Sequence, residues 1–173
     1  MHQHLMLIKT VQTKSKVAEA ENMPVSEMEI ILTQALLMDA GSATFKAIKS
    51  GEIADILAGL VALAYAALQA LAMQDEDIVE HQGATCQMYQ LLTIMRLLSE
   101  KIQNCSFGQA KHYSELYHLC TQLASGFLNA DFDKAFRVYH DWFKARADFS
   151  EETIIMSSPQ KTKPPDLTDC LYE

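Results

Sequence analysis

Glu52-Ile53-Ala54-Asp55-Ile56-Leu57-Ala58-Gly59-Leu60-Val61-Ala62-Leu63-Ala64-Tyr65-Ala66-Ala67-Leu68-Gln69-Ala70-Leu71-Ala72-Met73 is the stretch that decides how the chain is read. From Ile56 to Met73, Gln69 is its one clearly polar side chain. A helix that is apolar all round is either buried on every side or lies in a bilayer, and eighteen residues just reach the length needed to span one. Three features favour burial. The run is rich in alanine rather than leucine, acids flank it at both ends (Glu52 and Asp55; Asp75, Glu76 and Asp77), and no cluster of Lys or Arg orients it across a membrane. The expectation is a core helix of a soluble protein, not a membrane span.

Working outward, Ser50-Gly51 breaks the chain before this helix, Gly being able to take the left-handed conformation that closes a preceding one. That preceding helix has a readable start. Ser26 and Glu29 form the S-x-x-E capping box, Val25 and Ile30 occupy the positions of a hydrophobic staple, and the helix should run to about Lys49. Upstream, Leu5, Ile8 and Val11, beside Met6 and Leu7, predict a first helix ending near Ala20. Downstream, the acidic stretch Gln74 to Asp77 is expected to begin a fourth helix carrying Tyr89, Leu91, Leu92, Met95 and Leu98, interrupted at Ser106-Phe107-Gly108. A fifth is expected from about Gln109 to Leu128. Asp131 is the natural N-cap of a sixth that carries Phe132, Ala135, Phe136, Tyr139, Trp142 and Phe143. Sustained alternation and Asn-Gly or Asp-Gly hairpins are missing. The fold class is therefore all-α, a bundle of about six helices over residues 1–149. Residues 150–173, with Pro159, Pro164 and Pro165, are expected to form a tail that is mobile unless it docks.

A faint repeat runs through the bundle. Displaced by 88 positions, Ser26-Glu27 meets Ser114-Glu115, Thr33-Gln34 meets Thr121-Gln122, and Lys46-Ala47 meets Lys134-Ala135; one residue out of register, Leu7-Ile8-Lys9 meets Ile94-Met95-Arg96. Chance between amphipathic helices and genuine duplication both account for it. Duplication would make two tandem helical halves, 1–74 and 75–149, packed as a pseudo-dimer.

With 173 residues, of which 49% are hydrophobic, the chain is long enough to bury a core as one domain. A formal charge of -8, from 22 acidic against 14 basic residues, argues against binding DNA, RNA or an anionic membrane, which need clustered Lys and Arg. Cys86, Cys105, Cys120 and Cys170 form neither a CxxC pair nor an even framework, so reduced, packed thiols are expected. The first residues lack the basic flank and apolar core of a signal peptide, and a cytoplasmic location is the resulting expectation.

Glu52 and Asp55 are three residues apart and so lie on one face of the central helix. Two carboxylates on one stripe can share a hard divalent cation such as Mg²⁺. Acids are also favoured in the first turn of any helix by its dipole, whatever the function. The stretch from Lys46 to Val61, with its Ala47-Ile48 pair, Ser50-Gly51 break and Glu52-x-x-Asp55 element, resembles the central helix pair of the all-α nucleoside triphosphate pyrophosphohydrolases, the superfamily of MazG-type proteins and phosphoribosyl-ATP pyrophosphohydrolase. The resemblance covers about Leu32 to Ile78. In that family an E-E-x-x-E helix precedes the E-x-x-D helix. Registering on Ala47-Ile48 places Asp39 and Ala40 at the adjacent glutamates and Ala43 at the third, and Gly59 stands where many members carry a further acid one turn after Asp55.

What the resemblance implies is Mg²⁺, or Mn²⁺, held by Asp39, Glu52 and Asp55, and cleavage between the α and β phosphates of a nucleoside triphosphate or phosphoribosyl nucleotide. It also implies a homo-oligomer. The rival expectation is a catalytically inactive helical protein that acts through self-association or contact with another protein. His112, His118, His140 and Asp141 lack the i, i+4 spacing of a helical zinc pair, and no P-loop, Rossmann or nucleophile-elbow pattern occurs. The stripe Phe132, Phe136, Tyr139 and Phe143 reads as core or dimer interface, with a base-stacking pocket as the other possibility.

Overall fold

The computed structural model describes residues 3–15, 26–80, 90–147 and 163–172. Among these residues there are six α-helices and no strand: α1 (Gln3–Ser15), α2 (Glu27–Ser50), α3 (Ile53–Met73), α4 (Leu91–Asn104), α5 (Ala110–Gly126) and α6 (Phe132–Ala147). The expected all-α bundle is what forms. Ala20, Val25, Cys86, Tyr89 and Pro159 lie outside the described residues.

The centre of the bundle is α3. It packs against α1, α2, α5 and α6, and its side chains from Ile56 to Val61 and from Leu63 to Leu68 are buried without interruption. Among the described helices it alone is long and apolar enough to cross a membrane, yet 83% of its apolar window is buried within the bundle. Its neighbours therefore cover the surface that a bilayer would otherwise cover. Small residues allow this close enclosure: a Cβ on Gly59 would lie against Thr44 Oγ1 and only 2.9 Å from Thr44 Cα. Thr44 is itself buried and donates to Ala40 O at 2.8 Å, so its hydroxyl is satisfied within α2.

Local signals set several helix ends. Glu29 N donates to Ser26 Oγ at 3.2 Å and Ser26 N to Glu29 Oε2 at 2.7 Å, which completes the capping box of α2. At its other end Gly51 sits at φ 80° and its N–H bonds Ala47 O. Glu52 is the N-cap of α3 rather than its first helical residue. Asp131 caps α6, accepting from Lys134 N at 3.0 Å.

The acidic stretch after α3 does not begin a helix, contrary to the expectation from sequence. Asp75 takes φ 53°, Asp75 N bonds Ala72 O and Glu76 N bonds Leu71 O, the paired bonds of a Schellman ending. The chain then runs non-helically along α5, held by Val79 N donating to Ser114 Oγ at 3.0 Å. The next described helix, α4, begins only at Leu91. At the 88-residue offset, α2 falls on residues 115–138, which hold the end of α5, the connection 127–131 and the start of α6.

Part of the C-terminal tail is docked. Leu167 and Cys170 are buried, Asp131 N donates to Cys170 O at 2.8 Å and Tyr172 N to Asn129 O at 3.0 Å. Lys134 Nζ reaches Asp169 O. Cys105, Cys120 and Cys170 are free, buried thiols. Burial pushes Cys105 up to about 12, with Glu115 adding to the shift and Lys101 opposing it; it also raises Cys120. Both thiols stay protonated.

Candidate functional site

The break at Gly51 turns the chain back, so that α2 and α3 form a close antiparallel pair. Along the seam the side chains are small: Ala40, Ala43 and Ala47 on α2, Ala58, Gly59 and Ala62 on α3. Where small residues face each other, backbones approach and the surface above them is left open. The result is a cleft of about 670 Å³. Charged side chains stand around it: Asp39 and Lys46 from α2, Asp55 from the first turn of α3, and Lys163 from the docked tail. Tyr139 of α6 and Pro164 also line it.

Of the three predicted cation ligands, Asp39 and Asp55 share this cleft, whereas Glu52 does not line it and is exposed at the helix cap. Among the described residues, no three His, Cys, Asp or Glu side chains form a group able to hold a metal ion. The three carboxylates are thus not gathered into one cluster. The spacing Glu52-x-x-Asp55 places both on one helix face only when both are helical, and Glu52 stops at the cap, in an extended conformation.

Two cations in the cleft were not singled out from sequence. Lys46 lies seven residues after Asp39, two helical turns along the same face, a signal that was present. Lys163 carried no such signal, since its position depends on the docking of Leu167 and Cys170 far along the chain. Tyr139 belongs to the aromatic stripe, whose Phe132 and Phe136 are buried core, as is most of Tyr139. Burial pushes the Tyr139 phenol up to about 12, with Arg146 pulling slightly the other way, so it faces the cleft neutral.

Several other polar groups tie the helices together. His4 Nδ1 lies 2.8 Å from Tyr117 Oη and Nε2 2.9 Å from Asp133 Oδ1, and the ring stacks on Phe136 with centroids 4.2 Å apart. This joins α1 to α5 and α6. Burial raises Glu115, but Lys101 at 2.9 Å, with Lys111 and His112, more than reverses it and holds the carboxyl below its ordinary value. His118 meets Val79 O, and His140 meets the Tyr65 hydroxyl.

Comparison with protein-family models, curated proteins and solved structures finds no match to this chain. The fold and the cleft define the described residues as an all-α bundle with a mixed-charge groove between α2 and α3.

Proposed function

We propose that the α2–α3 cleft binds a phosphorylated nucleotide, a nucleoside triphosphate or phosphoribosyl nucleotide, together with Mg²⁺ or Mn²⁺. The observation that carries this reading is the convergence of Asp39 and Asp55 with Lys46 and Lys163 around one cleft. Mg²⁺ is commonly held by one or two carboxylates, with substrate phosphate oxygens and water completing its shell. Two carboxylates fit a cation that arrives on a phosphate better than one held by protein ligands alone. Lys46 and Lys163 would meet the remaining phosphate charge as point cations. When bound, such a cation neutralises phosphate charge and polarises water, the chemistry that cleavage between α and β phosphates needs.

Calorimetric titration with nucleoside triphosphates and a phosphoribosyl nucleotide, with and without Mg²⁺, tests the binding. Asp39→Asn plus Asp55→Asn is expected to remove the Mg²⁺-dependent part of the affinity, while Glu52→Gln leaves it intact. Identical Mg²⁺ responses in wild type and the double variant would falsify the reading. Release of pyrophosphate across the same panel separates a hydrolase from the rival, an inactive protein that acts by association. The exposed apolar face of α2 favours that rival.

A further inference from the structure

Seven positions of α2 form a heptad seam: Met28, Ala35, Ser42 and Lys49 in one row, Ile31, Met38 and Phe45 in the other, all exposed except Phe45, which is half-buried against the core. Met28, Ile31 and Met38 are 60%, 52% and 59% exposed, far more than their apolar side chains favour. The buried row of the same helix, Thr33, Leu37, Ala40, Thr44 and Ile48, faces the opposite way, toward α3. At 1.5 Å per residue the 24-residue helix is about 36 Å long, enough for three heptads of contact. A groove of about 770 Å³ between α2 and α4 opens beside the seam at Met38 and Phe45.

We infer that this seam is a homodimer interface in which α2 packs antiparallel against α2 of a second copy, with the two-fold axis at Met38. Charge selects the direction. Glu27 stands at the start of the seam and Lys49 at its end, both exposed and neither in an ion pair among the described residues. Antiparallel pairing about Met38 brings Glu27 of each copy to Lys49 of the other, twice per dimer. Parallel pairing would oppose Glu27 to Glu27 and Lys49 to Lys49. The same register sets Ile31 against Phe45, filling the mouth of the α2–α4 groove from the second copy.

Gln34 donates through Nε2 to Ile102 O at 3.0 Å and so ties this edge of the seam to α4. Small side chains at Ala35 and Ser42 let the two backbones approach, and an interface of this kind is isologous, each patch meeting its own copy.

Sedimentation of the full chain over a range of concentrations tests the inference. Wild type is expected to be a dimer. Met38→Glu sets two carboxylates face to face on the axis and should weaken dimerisation on the order of a hundredfold, with unchanged circular dichroism. Glu27→Lys and Lys49→Glu should each weaken it, and the two together should restore it. Met38→Cys should yield a disulfide-linked dimer on mild oxidation even if Met38→Glu fails to fold. A monomeric wild type at every concentration, a dimer indifferent to Met38→Glu, or charge reversal without restoration in the double variant would each overturn it.

Discussion

A single methyl group at position 59 would collide with α2. A Cβ there falls 2.9 Å from Thr44 Cα, which is backbone and cannot rotate away. Gly59→Ala should therefore destabilise the fold by about 1–3 kcal/mol, read as a lower urea midpoint, even though Ala is the better helix former. The acid that the resembling family carries at this position has no room here, so Gly59 is a packing residue. His140 is the other informative residue. Burial holds its pKa below the ordinary 6.5, Asp141 pulling it up and Lys144 pushing it down, and its Nδ1 meets Tyr65 Oη at 3.1 Å. In the unfolded chain it takes up a proton more readily than in the fold. The stability this neutral histidine confers is thus full above the unfolded value and is lost as pH falls through the folded one. Urea unfolding at about pH 7.5 and about pH 5.5 should show a smaller loss in His140→Gln than in wild type; equal losses would refute the assignment.

At the scale of the element, the starts of α2 and α6 were legible because their capping chemistry is local. The Ser26–Glu29 capping box is read from four consecutive residues and formed as expected. Ser26→Ala should cost about 1 kcal/mol, with the loss largest in hydrogen exchange over the first turns of α2. Gly51, Asp131 and the buried α3 were legible for the same reason: each signal lies within the segment that it governs. The end of α3 was not. Acids after an apolar run look like the first turn of a new helix, but Asp75 takes the left-handed conformation and the following residues are held by Ser114, on α5. Of the cleft, Asp55 was singled out by its place in the first turn of α3 and Asp39 only through the family resemblance; both line it. Glu52 was misplaced by a single residue at a boundary, and Lys163 depends on a contact that spans the chain.

At the scale of the molecule, the docked tail links stability to the cleft. Leu167 is buried, Cys170 O accepts from Asp131 N, and Lys163 stands four residues before Leu167 at the cleft rim. Leu167 therefore holds Lys163 in place, and the two roles can be separated by mutation. Leu167→Ala should lose about 2–3 kcal/mol of stability through the exposed or emptied site, and should also weaken nucleotide binding, because Lys163 loses its anchor. Lys163→Ala should weaken binding with little effect on the melting temperature, since its side chain is exposed. Ending the chain after residue 162 should produce both losses together. If the truncated chain binds nucleotide as tightly as the full one, the tail is a clamp on α5 and α6 alone, and the cation partners of the cleft reduce to Lys46.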